Sequence, residues 1–184
     1  MLYLVGVEHV CLREVLQFSR PQTNIKEISV PLWHAFFLRK TIAMRDINKI
    51  IIHCSATPEG KEVSVDTIRG WHVNGRGWSD IGYHFVVQLD GSINYGRDLD
   101  RSGAHTKGHN KGSIGICYIG GVEEKQVDGK WIAKDTRTPE QKEALLDLLK
   151  MLKRLHPEAT INGHREYAAK ACPCFDANKE YKLL

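Results

Sequence analysis

The 184-residue sequence predicts an α/β fold in which a central mixed β-sheet is flanked by helices. Three observations support this prediction. Short β-branched apolar runs are typical of buried strands, amphipathic helical patterns lie between those runs, and an Asp-Gly pair predicts an antiparallel hairpin. Because strands and helices interleave and no internal repeat is present, we expect one sheet whose strands run in mixed directions.

The first 43 residues differ from the rest of the chain. They contain short apolar patches such as LWHAFFL, with no sustained period of two or 3.6 residues. A second methionine, Met44, then begins a much more regular sequence. We therefore expect a functional domain over residues 44–184. Residues 1–43 are expected to be an N-terminal extension, either loosely attached or an artefact of the choice of start site.

Three apolar segments predict buried strands. The isoleucines at 50–52 form a β-branched run, and the polar sequence HCSAT begins where this run stops, so His53 is expected at a strand end. The sequence SIGICYIGG, residues 113–121, predicts another buried strand that ends at its last glycines. The sequence TINGH predicts a short strand that ends at His164.

An Asp-Gly pair at 90–91 lies between two alternating segments, residues 83–89 and 92–95. Asp-Gly is a strong signal for a tight hairpin turn, so these segments are predicted to pair antiparallel. A second Asp-Gly pair lies in the polar segment 122–137, which we interpret as a surface excursion.

The helix signals lie between the predicted strands. In SVDTIRGWHVNGRG, Ser64 is a candidate N-cap and Gly75 a candidate stop. The strongest pattern is TPEQKEALLDLLKMLKRLHP, in which Thr138 is the N-cap, Gln141 completes a capping box and a proline follows the last turn. The final segment DANKEYKLL predicts a last short helix.

Composition limits the classes of partner. The net charge is +4, but 26 basic residues are scattered among 22 acidic ones, so nucleic acid is not an expected partner. No apolar run is long enough to span a bilayer, and we expect no membrane insertion. The five cysteines are odd in number and irregularly spaced, which is not typical of a disulfide framework. Peptidoglycan or an acidic peptide suits this charge, and we expect a monomer.

Two histidines and one cysteine match the ligand count of a catalytic zinc site. Such a site uses three nitrogen or sulfur ligands and leaves one position for water. His53 and His164 are each expected at a strand end, and Cys172 follows soon after in a loop. The residues alone leave other readings open: ordinary hydrogen-bonded histidines, or a closed structural site with Cys174 or His105 as fourth ligand. A disulfide between Cys172 and Cys174 would be strained.

Four segments carry a family resemblance. They are IIHCSAT, WHVNGRGWSDIGYHFVVQLDGSINYGR, GAHTKGHNKGSIGICYIGG and GHREYAAKACPCFD, and the resemblance covers essentially residues 44–175. In order and wording, they resemble the zinc-dependent N-acetylmuramoyl-L-alanine amidases, above all the phage lysozyme-type enzymes. They are similar more distantly to the peptidoglycan recognition proteins. The resemblance implies a central mixed sheet flanked by helices.

The resemblance also implies an activity and its residues. Zn²⁺ would be held by His53, His164 and Cys172, and the two other groups at the catalytic centre would be Tyr83 and Lys170. The implied reaction is hydrolysis, by a zinc-activated water, of the amide bond between the lactyl group of N-acetylmuramic acid and the L-alanine of the peptidoglycan stem peptide. This family also includes modules that bind peptidoglycan without cutting it, but the presence of the cysteine ligand favours an enzyme.

Some roles stay open at this stage. By resemblance, His105 lines the substrate cleft or supports the zinc shell, and Asn110 binds the glycan or the stem peptide. Cys117 stands where the related anhydromuropeptide-recycling amidases carry a glutamate, so the general base could be Tyr83, Lys170 or the water itself. The sequence shows no export signal, so phage lysis through a membrane pore and cytoplasmic recycling of wall fragments are both open.

Overall fold

The fold is known from a computed structural model that describes residues 45–184. The predicted extension, residues 1–43, lies outside the described residues. The elements are β1 (Lys49–Cys54), β2 (Thr57–Pro58), α1 (Val65–Arg76), β3 (Phe85–Val87), β4 (Ile93–Tyr95), β5 (Ser113–Tyr118), β6 (Gly121–Val122), α2 (Pro139–Leu155), β7 (Thr160–Gly163) and α3 (Ala177–Glu180).

The main sheet has five strands in the order β4-β3-β5-β1-β7. Strand β4 runs antiparallel to β3, and the other three pairings are parallel. A second, two-stranded sheet pairs β2 with β6. The predicted central mixed sheet with flanking helices is confirmed.

Strand β1 lies between β5 and β7 inside the main sheet. Its three isoleucines, residues 50–52, are fully buried, as expected for a strand that is covered on both faces. The strand continues through His53 and Cys54, because these residues pair with Cys117 and Tyr118 of β5. On the other side of β1, Ile52 is in register with Gly163 of β7.

Helix α1 covers the face of the sheet that carries His53. Side chains of residues in register on neighbouring strands point to the same face. His53 is in register with Cys117, and Cys117 is in register with Val86 of β3. Val86 packs in one buried cluster with Ile68 of α1. The space available to the His53 side chain is therefore bounded by the sheet and by this cluster.

The ends of α1 show one correct and one wrong prediction. The Ser64 hydroxyl accepts a hydrogen bond from the backbone N–H of Thr67, which confirms the N-cap. Gly75 does not stop the helix, which continues to Arg76. Gly77 ends it in the left-handed conformation, with φ 67°; its N–H donates to the carbonyl of Val73, and the N–H of Trp78 donates to the carbonyl of His72.

Helix α2 begins as predicted. Thr138 and Gln141 form the capping box, and Pro139 occupies the first turn. Gln141 is also fully buried, and its side-chain amide donates to the carbonyls of Val87 and Ile119. The start of α2 is thereby bonded to the ends of β3 and β5.

The remaining predicted segments are also present. Strands β3 and β4 pair antiparallel across the turn at residues 90–91, although both are shorter than predicted. In the polar excursion, Val127 and Lys130 form a bridge around the second Asp-Gly turn. Asp176 caps α3, the predicted last helix. Among the described helices, none combines the length and apolar character needed to cross a bilayer.

Candidate metal centre

The two histidines meet because their strands are neighbours. His53 lies near the end of β1, and His164 follows directly after β7 in a short 3-10 turn, His164–Glu166. Since Ile52 is opposite Gly163, the residues that follow them, His53 and His164, come close together at this end of the sheet. The two imidazole ring centres are 4.5 Å apart.

Cys172 completes a cluster with these histidines. One donor atom from each of His53, His164 and Cys172 lies within 4.8 Å of the other two. The Cys172 sulfur is 3.9 Å from Nδ1 of His53. Ligand atoms around a tetrahedral zinc are separated by about 3.3 to 3.6 Å, from the usual zinc–nitrogen and zinc–sulfur bond lengths. Two imidazoles and one thiolate at these separations fit a zinc ion after small side-chain adjustments.

A buried chain of hydrogen bonds lies behind His53. Its Nε2 atom is 3.1 Å from Nδ1 of His105. A metal on Nδ1 of His53 requires the proton on Nε2, which then donates to His105. Nε2 of His105 is 3.3 Å from the Ser113 hydroxyl, and that hydroxyl donates to the carbonyl of His109. Within this chain, His105 and Ser113 each accept one hydrogen bond and donate the next, so the chain fixes the tautomer that His53 needs for binding metal.

Small residues make room for this chain. Gly115 lies in the middle of β5, and a β-carbon at this position would overlap the His105 ring. The Thr106 hydroxyl lies 3.1 Å from Nδ1 of His105 and 3.3 Å from Nε2 of His53.

Burial lowers the pKa of both His53 and His105 well below the usual value. Both imidazoles are therefore neutral at pH 7, the state required for a metal ligand.

The loop that carries Cys172 is fixed by several contacts. The Cys172 sulfur accepts a hydrogen bond from the backbone N–H of Cys54, at 3.3 Å. The hydroxyl of buried Tyr118 donates to the carbonyl of Pro173 at 2.6 Å. The guanidinium of Arg137 stacks on the ring of Phe175, 3.2 Å from its centre. These contacts hold the thiol against the end of β1.

Tyr83 lies beside the histidine cluster. Its ring centre is 5.2 Å from that of His53, and the side chain also packs against the buried cluster under α1. Burial, followed by the nearby Cys117 and Cys172 thiols, raises the pKa of Tyr83 well above its usual value. The phenol therefore keeps its proton at neutral pH and can act as a hydrogen-bond donor.

Lys170 is exposed, two residues before Cys172. Burial is the main cause of the lowered pKa of His164, and the positive charge of Lys170 lowers it further. The same charge contributes to the lowered pKa of His53. The ammonium group thus lies close enough to act electrostatically on both histidines, on the solvent side of the centre.

The two residues predicted to bind substrate have contacts within the protein. His105 is 9% exposed and contacts His53, as described above. The side-chain oxygen of Asn110 accepts the backbone N–H groups of His105 and Thr106, at 2.9 and 2.8 Å. Asn110 thus shapes the loop that presents His105. Substrate binding by either residue stays a prediction.

Three supporting residues were not predicted from the sequence: Thr106, Ser113 and Gly115. A glycine inside a buried strand often marks a close approach by another group, so Gly115 was a usable signal. The two hydroxyl residues gave no comparable signal, because serine and threonine are common in loops and at strand ends.

Comparison with known proteins agrees with this geometry. Residues 43–175 match the family model described as N-acetylmuramoyl-L-alanine amidase. The chain is 40% identical over 138 residues to the endolysin of Enterobacteria phage K11, covering 75% of this chain and 87% of that protein. It is 43% identical over 130 residues to the endolysin of Escherichia phage T7, covering 71% and 82%.

Solved structures show the same fold. An endolysin and N-acetylmuramoyl-L-alanine amidase, LysCS from Clostridium intestinale, aligns with a TM-score of 0.62 and 28% identity over 76% of this chain and 83% of that one. The ectodomain complex of peptidoglycan recognition proteins LCa and LCx bound to tracheal cytotoxin aligns with a TM-score of 0.56 and 34% identity, over 71% and 78%. On the family match and the identity to the phage endolysins, this chain belongs to the N-acetylmuramoyl-L-alanine amidase family.

Proposed function

We propose that this amidase is zinc-dependent and that His53, His164 and Cys172 hold the ion. The bond cleaved joins the lactyl group of N-acetylmuramic acid to the L-alanine of the peptidoglycan stem peptide. The observation that carries the proposal is the cluster of three donor atoms within 4.8 Å of one another at the end of the central strands. In a member of the amidase family, two imidazoles and a thiolate in this arrangement are typical of a zinc site.

The ligand set supports a catalytic site over a closed structural one. A zinc ion bound here supplies a Lewis acid that polarises the amide carbonyl and lowers the pKa of water. A structural site would need a fourth protein ligand. Nδ1 of His105 is engaged by His53, and the Cys174 sulfur contacts Cys54 and the carbonyl of Gly121. Neither side chain is therefore placed to complete a closed set, which leaves room for substrate.

Tyr83 is proposed to orient the reacting groups as a hydrogen-bond donor. Its pKa is raised by burial, so the phenol does not lose its proton near pH 7 and is a poor general base. A protonated phenol beside the cluster can instead donate to the attacking water or to the amide oxygen. The general base is therefore a group other than Tyr83.

Lys170 is proposed to stabilise negative charge in the transition state. When water attacks an amide, charge develops on the carbonyl oxygen, and a fixed cation near that oxygen lowers the barrier. The ammonium of Lys170 lies on the exposed side of the centre, where the substrate must enter. Its position on the same loop as Cys172 keeps it close to the metal site.

The biological setting is also proposed. The phage relatives are named endolysins, which supports a role in lysis, with the enzyme released to the cell wall through a lysis pore. We further propose that residues 44–184 form the catalytic domain, because the family match begins at residue 43.

Digestion of purified sacculi tests the proposed reaction. We expect release of stem peptides with a free L-alanine amine, loss of this release in a strong chelator, and recovery when zinc is added. Mass analysis of the products identifies the bond. Products with new reducing sugar ends, or binding to sacculi without cleavage, would contradict the proposal. The same digestion with residues 44–184 alone tests the domain boundary.

Substitution of the cysteine ligand tests the metal site. Cys172→Ser should lose bound zinc, because a neutral hydroxyl is a much weaker ligand than a thiolate. Metal content per mole of purified protein measures this loss. Cys174→Ser is the matched control and should retain zinc, since Cys174 lies outside the ligand cluster. Equal zinc content in the two variants would refute the assignment.

Substitution of Lys170 separates catalysis from metal binding. Lys170→Ala should retain zinc and lower kcat by about 100-fold or more, as expected for loss of a group that stabilises the oxyanion. Lys150→Ala, on the exposed side of α2, is the control and should leave kcat unchanged. Full turnover by Lys170→Ala would remove this residue from the mechanism.

Substitution of His105 tests the hydrogen-bond chain behind the metal centre. His105→Ala should weaken zinc binding by about 10- to 100-fold, because His53 loses the acceptor that fixes its tautomer. Competition with a chromophoric chelator measures the affinity directly. His109→Ala is the control, because its ring stacks on Tyr167 outside the chain of hydrogen bonds. An unchanged zinc affinity in His105→Ala would show that the chain does not support the metal.

A further inference from the structure

A second pair of cysteines lies behind the metal ligands. The sulfurs of Cys54 and Cys174 are 3.7 Å apart, although the residues are separated by 120 positions in the sequence. All four cysteines in the described part of the chain are free thiols. Cys54 follows the ligand His53 directly, and Cys174 follows the ligand Cys172 by two positions. Neither thiol belongs to the ligand cluster.

We propose that Cys54 and Cys174 are a disulfide-forming site, which, when oxidised, cross-links the ligand loop to β1 and leaves Cys172 free to bind metal. The bond needs a sulfur separation of about 2.05 Å. From 3.7 Å, the two sulfurs must approach by about 1.7 Å in total, shared between two side chains. The pair is thus close to bonding distance in the native fold.

The surroundings hold these two sulfurs in place. The Cys174 thiol donates to the carbonyl of Gly121, at 3.1 Å. Gly121 also lies against the other sulfur, and a β-carbon at this position would overlap the Cys54 side chain. The hydrogen bond from Tyr118 to Pro173 fixes the backbone next to Cys174. These contacts therefore hold the two thiols close to each other in the folded protein.

The ligand thiol is kept out of this reaction by its own contacts. The Cys172 sulfur faces Nδ1 of His53 and accepts the backbone N–H of Cys54. On the proposed function, Cys172 would also bind metal, and a metal-bound thiolate would be a poorer partner for disulfide exchange. The sequence ACPC thus places one thiol in the metal site and a second one beside Cys54.

The oxidant is a small-molecule disulfide such as oxidised glutathione. Cys174 is the more accessible thiol, because Cys54 is only 6% exposed. Cys174 loses its proton and attacks one sulfur of the oxidant, which forms a mixed disulfide and expels one thiol. Cys54 then loses its proton and attacks the Cys174 sulfur, which forms the internal bond and expels the second thiol. The protein loses two electrons and two protons, and the oxidant becomes two thiols.

The cross-link would join two segments that both carry metal ligands. A disulfide that closes a loop of this length strongly restricts the unfolded chain. It also holds Cys172 against the end of β1 when no metal is bound. Disulfides persist in oxidising compartments and not in reducing ones. The redox state of the surroundings would therefore determine whether this cross-link forms.

Peptide mapping of the full chain tests the site. The zinc-loaded protein is incubated with oxidised glutathione until its mass is constant. Free thiols are then alkylated under denaturing conditions. We expect one linked peptide pair, Cys54 with Cys174, with Cys172 and Cys117 alkylated. Thermal unfolding of the oxidised protein should shift upward by about 5 °C or more relative to the reduced protein.

Cys174→Ser is the matched control. Its hydroxyl can still donate to the carbonyl of Gly121, so the local packing is retained. This variant should form no linked peptide containing Cys54, and its unfolding temperature should not change with oxidant. A wild-type map with no internal disulfide, or with a disulfide that includes Cys172, Cys117 or Cys11, would overturn the proposal. None of these outcomes depends on whether the protein cleaves peptidoglycan.

Discussion

The parallel pairing of β1 with β7 is the constraint on which the candidate metal centre depends. Its register places Ile52 opposite Gly163, and each of these two residues is followed directly by a histidine of the cluster. A slip of one residue along either strand would turn the side chains to the opposite face of the sheet and separate the imidazoles. The fully buried isoleucines of β1 prevent such a slip, because it would move the strand out of a packed interior.

The centre is supported from the protein interior and open toward solvent. Behind the ligands, His105 and Ser113 extend a chain of hydrogen bonds into the sheet, and Gly115 provides the space for it. In front of the ligands, Lys170 is exposed and adds positive charge. This division suits hydrolysis of a large polymer, since the groups that define the tautomer are shielded from water and the groups that meet the substrate are accessible. Burial keeps the ligand imidazoles neutral without help from a bound ion.

The sequence predicted the elements of the fold better than their ends. The isoleucine run, the cap at Ser64 and the capping box at Thr138 each depend on local chemistry, and each is present in the structure. Gly75 failed as a helix stop because a glycine ends a helix only where the chain adopts the left-handed conformation, which occurs at Gly77.

The site was harder to predict from the residues alone. His53 and His164 are far apart in the sequence. Their local sequence patterns do not predict that β1 and β7 are neighbours, or that Ile52 pairs with Gly163. The family resemblance supplied the ligand set and the two catalytic candidates, and the structure brings these residues into one cluster or beside it. The hydrogen bonds of Ser113 and Thr106 with His105 could not be predicted, because they form only when the loop that carries His105 folds against β5.

The ligand loop is the part of the centre that secondary structure does not determine. Cys172 lies between a 3-10 turn and the short helix α3, so no regular hydrogen-bond ladder fixes it. Its position instead depends on side chains from elsewhere: Tyr118 bonds to the backbone of Pro173, and Arg137 stacks on Phe175. Arg137 is in turn held by carboxylates of Asp135 and Glu180. The geometry of the candidate metal site therefore depends on α3 and on the segment before α2, and a substitution far from the cluster can alter this geometry by moving the loop.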